Sequence, residues 1–411
     1  MKVLGINTSH ETSICSMTDG KIDYYHEEAR WNRDKHYCPD LAHLDGDDGE
    51  WGMLCLDHAF EETPADQWDT IGIASFDRRN VDFRISEGEP EFIENMGCTG
   101  MEPIDVNMDR MMFEDLADFM RSEPVTPERI EEARSIFKGQ EENPIIHAYA
   151  NTSIDQQLNT GLAKKYNIEK FDYLQNEHHL YHAFAGLYMS PFKESLVLVC
   201  DGGGARHLWD DGFQCYGEIE SIYYLDEQTV QPLFKHLTNN RDITHFGDGN
   251  DSFYDMNFFS HQTCFDMDAK DNYGYDVRLS SLFSEGQKFS MLSQMLNLDE
   301  MGRAAGKVMG LASYGLAYPW EKYTPSGIAA ELQRETVHHT AELIQRALDY
   351  KPECKNIILS GGYALNCVGN YQYLDMFKGI NFFIDPAAHD GGTAIGSCVK
   401  NTFYKDTGYT V

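Results

Sequence analysis

The stretch that decides the fold is 176–183, NEHHLYHA, followed by the apolar run Leu196–Cys200 (LVLVC) and the loop Asp201–Gly204 (DGGG). His178 and His182 are four residues apart, so a helix would place both imidazoles on one face, close enough to share a metal ion. The apolar run predicts a buried strand, and the glycines after it let backbone approach a phosphate or a bound ion. Together they indicate a metal site beside a phosphate-type loop, which favours group transfer from an activated donor.

The bulk composition narrows the class of protein. At 411 residues the chain exceeds one ordinary core, so we expect two domains or lobes. No run of about 18 apolar residues exists, which argues against a membrane span. Residues 1–7 begin directly with a strand-like pattern rather than a signal peptide. The ten cysteines form no Cys-x-x-Cys pair, which is typical of a reduced, cytoplasmic protein rather than a disulfide framework.

The charge of the chain bears on its partners. The formal net charge is −34. Such an acidic surface repels a nucleic-acid backbone, so we expect no broad binding to polymeric DNA or RNA unless a local basic groove compensates.

Hydrophobic periodicity predicts alternating strands and helices. A strand at 3–7 precedes a hairpin, 13–17 and 22–26 around Asp19-Gly20. A second strand–loop–strand unit, 196–225, suggests a duplicated architecture. The remaining predicted elements are helices at 127–139, 159–165, 178–188, 281–296 and 326–348, strands at 356–359 and 381–384, surface insertions at 38–65 and 84–110, and a long loop at 239–275. This pattern is α/β, with the site at the carboxyl ends of the strands.

Eight short motifs follow one another along the chain. They are 4–7 with His10 and Ser13, EARWNRDKH at 28–36, HHLYHA at 178–183, SPF at 190–192, DGGG at 201–204, GKVMGLASYG at 306–315, GGYALN at 361–366, and Pro386 with DGG at 390–392. Taken in this order, the motifs resemble the O-carbamoyltransferases of the nodulation, cephamycin and tobramycin type. The resemblance implies an actin-like, sugar-kinase-like fold, two-lobed and duplicated in the ribonuclease H manner. We expect one lobe at 1–190 with insertions, a second at 191–384, and the metal loop and last helix at 385–411.

The same resemblance implies what the chain works with. Family members usually continue into a YrdC-type domain, which uses ATP and carbamoyl phosphate to make carbamoyl-adenylate. The sequence ends at Val411, soon after the last actin-like helix. We therefore expect a separate YrdC-like activating subunit, or a donor obtained in another way.

The resemblance also implies roles for particular residues. His178, His182 and Asp390 would bind a divalent metal, with iron(II) suited to two imidazoles and a carboxylate that leave open positions. His10 would be the general base that deprotonates the acceptor hydroxyl. The residues implied in binding phosphate or nucleotide are Arg30, Arg33, Lys35, His36, Asp201, Gly202, Gly203, Lys307, Gly361, Gly362 and Asn366.

Each of these residues also has an ordinary structural explanation. The paired histidines could lie on a helix surface, His10 could pack in a turn, and the basic segment and Lys307 could be solvated. The glycines could serve turn geometry alone, and Asp201–Gly204 could be a tight hairpin. His179 points to another helix face, where it could orient a ligand or contact substrate.

The sequence therefore predicts an enzyme that moves a carbamoyl group to a hydroxyl of a small molecule, a sugar, or a hydroxymethylated nucleotide or DNA base. An actin-like ATPase or kinase is an alternative, and it would need no metal-binding histidines. A non-catalytic, substrate-presenting subunit of a two-chain complex is another. The acceptor, the metal and the oligomeric state, a homo-oligomer included, stay open.

Overall fold

The computed structural model describes residues 1–9, 11–35, 53–74, 162, 165–169, 171, 172, 174, 177–208, 215–238, 266–270, 274–280, 282–298, 304–315 and 324–405. The first sheet contains four strands: β1 (Lys2–Asn7), β2 (Ser13–Thr18), β3 (Lys21–Glu27) and β4 (Thr70–Ala74). Their order is β3-β2-β1-β4. The pairings of β3 with β2 and of β2 with β1 are antiparallel, and β4 is parallel to β1.

The second sheet repeats and extends this pattern. Its eight strands are β5 (Glu194–Cys200), β6 (Arg206–Leu208), β7 (Cys215–Asp226), β8 (Val230–Thr238), β9 (Asp266–Lys270), β10 (Asp276–Ser280), β11 (Asn356–Ser360) and β12 (Asn381–Ile384). Within this sheet, the neighbouring strands β8-β7-β5-β11 correspond in order to β3-β2-β1-β4 of the first sheet, and β12 is an additional strand beside β11. Along β8-β7-β5-β11-β12, the first two pairings are antiparallel and the last two parallel. The repeated topology confirms the predicted duplicated α/β fold.

Eight α-helices are described around the two sheets. They are α1 (Glu28–Asn32), α2 (Leu54–Glu62), α3 (His178–Met189), α4 (Glu285–Met295), α5 (Ala305–Ala312), α6 (Pro325–Tyr350), α7 (Cys367–Met376) and α8 (Thr393–Phe403). Helix α3 packs against β5, β7 and β11, while α8 packs against β1, β2 and β4. Helices α3 and α8 also contact each other. They therefore form the inner layers between the two sheets.

Two glycines allow this close packing. A Cβ on Gly5 of β1 would lie 2.1 Å from the carbonyl oxygen of Ala394 in α8. A Cβ on Gly396 of α8 would lie 1.9 Å from the carbonyl oxygen of Tyr181 in α3. Because no real Cβ contact is that short, both glycines are required by the approach of α8 to β1 and to α3.

Most predicted elements are present, and two predictions are wrong in part. Residues 54–62, assigned to a surface insertion, form α2, whose first backbone N–H groups, from Leu54 and Cys55, each donate at 2.9 Å to the buried carboxylate of Glu28. Residues 266–270, assigned to a loop, form β9 antiparallel to β10. Local sequence patterns did not indicate either element. The start of α2 depends on the carboxylate of Glu28, 26 residues before Leu54, and β9 depends on its hydrogen bonds to β10. The helix predicted at 127–139 and the insertion at 84–110 lie outside the described residues.

Across the described part of the chain, every helix is too short or too polar to cross a membrane.

Candidate metal centre

Four buried side chains meet where the two halves of the molecule face each other. His178 and His182 come from the first two turns of α3, and Asp201 follows the last residue of β5. Asp390 begins the 3-10 turn Asp390–Gly392 that leads into α8. All four side chains are at most 8% exposed. The structure thus brings together the three predicted metal ligands and adds Asp201 to them.

The distances within this four-residue cluster fit a shared cation. The two Nε2 atoms are 3.2 Å apart. Oδ1 of Asp390 lies 3.6 and 3.5 Å from Nε2 of His178 and His182, and Oδ2 of Asp201 lies 3.7 and 4.0 Å from the same two atoms. Two atoms bound to one ion at about 2.1 Å cannot be more than about 4.2 Å apart. All five distances meet that limit, and none except the imidazole pair is a hydrogen-bond distance.

The electrostatics of the cluster also favour a cation. Burial lowers the pKa of His178, but its interactions with Asp201 and Asp390 outweigh burial and raise that pKa to about 10. Burial and Asp390 raise the pKa of Asp201, but the two imidazoles more than offset them and hold it below its usual value. Two buried carboxylates thus demand positive charge, which a proton on His178 or a divalent ion supplies.

The predicted glycine loops lie beside this cluster. The N–H of Gly362 donates to Oδ1 of Asp201 at 2.9 Å, so the loop after β11 touches the loop after β5. Gly361 has φ of 85°, and its Cβ would lie 2.3 Å from the carbonyl oxygen of Cys200, so its glycine serves backbone geometry. At Gly202 and Gly203 a Cβ would meet nothing within 4 Å, which leaves this backbone open to a ligand.

Two residues predicted to bind nucleotide have structural partners. The side chain of Asn366 accepts from the N–H of Gly369 at the start of α7 and donates to Gln333 at 3.1 Å. Lys307 lies on an exposed part of α5, and its ammonium donates to the carbonyl oxygen of Leu298 at 3.2 Å. Among the described residues, neither side chain has a hydrogen bond or ion pair with the four-residue cluster.

The predicted basic segment lines a cavity of 370 Å³. Arg30, Arg33 and Lys35 contribute to its wall, together with Glu11, Thr12, Glu27, Ala29 and His389. Arg30 pairs with Glu27 at 3.3 Å and is mostly exposed. The cavity therefore carries a local excess of positive charge in an acidic protein. His10 and His36 lie outside the described residues.

Sequence reasoning missed His389, although it directly precedes the predicted ligand Asp390. Its Nδ1 lies 2.6 Å from Oε2 of Glu11, and its Nε2 lies 3.2 Å from Oε1 of Glu27. Burial lowers the pKa of His389, but hydrogen bonds to the two glutamates raise it to about 10. The hydroxyl of Ser13 also donates to the carbonyl oxygen of Gly391 at 2.7 Å. These contacts hold the Asp390 turn against the first sheet.

A second group of metal-type side chains has a different character. Oε2 of Glu220 lies 2.6 Å from Nδ1 of His236, and Oε1 lies 2.9 Å from Nε2 of His339. The other nitrogen of His236 lies 2.8 Å from the hydroxyl of Ser280. These are hydrogen-bond distances, so the group closes on itself without an ion. Its members come from separate strands and a helix, which is why no sequence motif indicates it.

The remaining histidine of the motif is not part of the four-residue cluster. Nδ1 of His179 lies 2.8 Å from the hydroxyl of Ser221 in β7. Burial lowers the pKa of His179 to about 4, so this imidazole is neutral. The structure therefore separates its role from that of its two neighbours, as its different helix face predicts.

Comparison with known proteins finds partial matches to one family model and to two nodulation proteins. Residues 318–399, which include Asp390, match the family model described as carbamoyltransferase N-terminus. The chain is 27% identical over 230 residues to the nodulation protein NolO of Bradyrhizobium diazoefficiens, an alignment that covers 54% of this chain and 37% of that protein. It is 24% identical over 233 residues to NolNO of Sinorhizobium fredii, covering 54% and 30%. The chain is therefore similar to the carbamoyltransferase model over residues 318–399 and to these nodulation proteins over about half of its length. The chain thus spans well under half the length of these relatives.

Solved structures give weaker matches. Full-length HypF in a phosphate- and nucleotide-bound form superposes with a TM-score of 0.39 at 15% identity, over 63% of this chain and 50% of HypF. A putative N-acetylmannosamine kinase from Listeria monocytogenes gives 0.42 at 7% identity, over 99% of each chain. The duplicated fold therefore rests on the strand order of the two sheets.

Proposed function

We propose that this carbamoyltransferase relative catalyses metal-dependent transfer of a carbamoyl group from carbamoyl-adenylate to a hydroxyl. The donor would be made from carbamoyl phosphate and ATP by a YrdC-like partner. The observation that carries the proposal is the meeting of His178, His182, Asp201 and Asp390 in a chain with this family match. The donor set suits a divalent ion, with iron(II) the first candidate because imidazole and carboxylate ligands are typical of non-haem iron(II) sites.

The reaction balances as a single acyl transfer. The acceptor oxygen forms a bond to the carbamoyl carbon, the bond from that carbon to the phosphate oxygen breaks, and AMP leaves. The hydroxyl proton passes to a base, for which the family resemblance proposes His10. A bound divalent ion would polarise a substrate oxygen and stabilise charge that develops on it.

The chain's own residues would hold and orient the donor. Arg33 and Lys35 line the cavity on the side of the first sheet and would bind phosphate oxygens. The open backbone at Gly202 and Gly203 would let a ligand approach Asp201 closely. The positive cavity and the four-residue cluster are joined through consecutive residues, His389 and Asp390, so donor and metal would be neighbours.

The test is reconstitution with defined components. The protein is incubated with a purified YrdC-like activating enzyme, ATP, carbamoyl phosphate, a divalent metal, and a panel of sugars, nucleotides and hydroxymethylated pyrimidine nucleotides. Mass spectrometry should detect an O-carbamate, with AMP released in equal amount. Both products should disappear on addition of a chelator and in His178→Ala. The exposed His338→Ala serves as the matched control because that histidine lies on α6, outside the four-residue cluster.

Other outcomes would identify the alternatives. Release of ADP without carbamoyl phosphate, unaffected by His178→Ala, would assign a kinase or ATPase instead. Full carbamate synthesis by a two-chain complex that contains His178→Ala would assign a substrate-presenting role. No carbamate with any acceptor, despite an active partner, would reject the proposal.

A further inference from the structure

The start of the histidine-bearing helix is held by a buried group of ions. Glu177 directly precedes His178, and both its carboxylate oxygens accept from the ammonium of Lys235 in β8 at 3.0 Å. Lys235 also donates to Oε1 of Glu218 in β7 at 2.5 Å. All three side chains are at most 2% exposed. We call Lys235, Glu177 and Glu218 the ion triad.

The position of Lys235 follows from strand alternation. Its two neighbours on β8 face α6. Phe234 packs in a hydrophobic cluster with residues of α6, and His236 shares the carboxylate of Glu220 with His339, which lies on α6. Successive side chains alternate between faces of a sheet, so Lys235 faces α3.

Glu218 reaches the same face because β7 has a bulge. Glu220 bonds His236 and so faces α6, and simple alternation would send Glu218 to that face too. The register between β7 and β8 shifts between Glu218 and Glu220. Bulges re-aim side chains and are frequent next to active sites. The bulge thus lets the carboxylate of Glu218 reach Lys235 on the face of the sheet that α3 covers.

The ion triad determines where the first turn of α3 sits. The hydroxyl of Tyr223 donates to Oε2 of Glu177 at 3.2 Å, so this carboxylate is held by two groups of the second sheet. Burying such ions costs solvation that only close pairing offsets, and apolar residues could pack as stably. Stability alone therefore does not explain the triad, whereas a fixed helix orientation does.

Small rotations of α3 would spoil the metal centre. A histidine nitrogen lies about 6 Å from the helix axis, given a Cα radius of about 2.3 Å, so a 10° turn would move it by about 1 Å. Oδ1 of Asp390 lies 3.6 and 3.5 Å from the two imidazole nitrogens. Two ligand atoms of one ion can be at most about 4.2 Å apart, so these distances can grow by no more than about 0.7 Å.

We infer that the ion triad is a positioning device for the metal centre, with Lys235 anchoring Glu177 so that His178 and His182 face Asp201 and Asp390. This inference rests on the metal site of the proposed function. Partners that orient metal ligands typically contribute about 10–100-fold in metal affinity, and the same range is expected here.

The experiment compares metal binding by three variants with that of the wild-type protein. Glu177→Ala removes the carboxylate that links the start of α3 to Lys235. Lys235 stays paired with Glu218, so no buried cation is left alone. Glu177→Gln keeps an oxygen that can accept from Lys235. Glu335→Ala, the matched control, removes a carboxylate that pairs with Lys288 in the same half of the molecule. Titration calorimetry with Mn²⁺ and cobalt(II) absorption measure affinity and ligand geometry, and thermal unfolding measures stability.

The expected results separate positioning from simple stability. Glu177→Ala should bind Mn²⁺ about 10–100-fold more weakly, with an altered cobalt spectrum, while Glu177→Gln recovers most of the loss and Glu335→Ala shows none. Wild-type affinity in a folded Glu177→Ala overturns the inference and leaves the proposed function standing. A wild-type protein that binds no divalent metal overturns both. If Glu177→Ala does not fold, the triple variant Glu177→Gln, Glu218→Gln and Lys235→Met replaces it, because it removes the anchoring ammonium and leaves no buried charge alone. Unchanged affinity there overturns the inference equally.

Discussion

The contact between α3 and α8 offers a sharp test of how packing sets the metal centre. In Gly396→Ala the new Cβ would begin 1.9 Å from the carbonyl oxygen of Tyr181, and real Cβ atoms essentially never come within 3.0 Å. The two helices must therefore separate locally by about 1.1 Å, a form of overpacking that typically costs about 1–3 kcal/mol. The gap between Asp390 and His182 is 3.5 Å, so it would exceed the limit of about 4.2 Å for one shared ion. We expect a less stable protein that has lost tight metal binding.

The assay pairs thermal unfolding with metal titration. Gly310→Ala on α5 is the control, because its Cβ would meet nothing within 4 Å. Alanine is favoured over glycine in helices by about 1 kcal/mol, so this variant should be equally or more stable and bind metal normally. Wild-type stability and metal affinity in Gly396→Ala would refute the reasoning that close packing of α3 on α8 brings the ligands together.

Three further predictions concern single features of the site. Asp390→Asn should weaken metal binding by more than about 100-fold in calorimetry, since even residues that only orient ligands contribute about 10–100-fold; unchanged affinity would remove Asp390 from the ligand set. Replacing Arg33 and Lys35 together by Ala should raise KM for the phosphate-bearing donor by about tenfold or more, given about 1.5 kcal/mol per hydrogen bond to a charged group. Metal affinity should stay constant in that variant, and an unaltered KM would place the donor phosphate elsewhere. Burial lowers the pKa of His339, but its buried carboxylate partner raises it to about 9. Since the unfolded value is about 6.5, the stabilisation is complete below about pH 6.5 and is lost as the pH rises through about 9. Urea unfolding from pH 6 to 10 should show that the free energy of unfolding falls less steeply with pH in His339→Gln than in the wild-type protein, whereas the exposed His338→Gln should follow the wild type. Identical pH dependence in His339→Gln and the wild type would contradict the pairing.

Local patterns predicted the parts of the fold that local rules govern. The Asp19-Gly20 turn between two alternating runs predicted the first hairpin, and both residues indeed have positive φ. The four-residue spacing of His178 and His182 predicted one shared helix face, since helical geometry depends only on nearby residues. These predictions required no knowledge of distant contacts.

Other features depended on contacts between distant parts of the chain. Asp201 joined the four-residue cluster because β5 and α3 pack side by side, and its position after a strand did not distinguish a ligand from a turn residue. Lys235 carried no motif at all. Its role arises from a register shift in β7, which hydrogen bonding between strands decides.

The amino-acid sequence by itself determined the α/β class, the duplicated strand pattern and the paired imidazoles, because periodicity and spacing act within a few residues. The family resemblance implied that Asp390, more than 200 residues further along the chain, would meet those imidazoles, and the structure places it beside them. The tertiary structure alone decided that Asp201 joins the cluster and that Asn366 caps a helix. The physical reason is that these arrangements depend on how closely α3, α8 and the two sheets pack, and glycine positions such as Gly396 permit that approach only in the folded molecule.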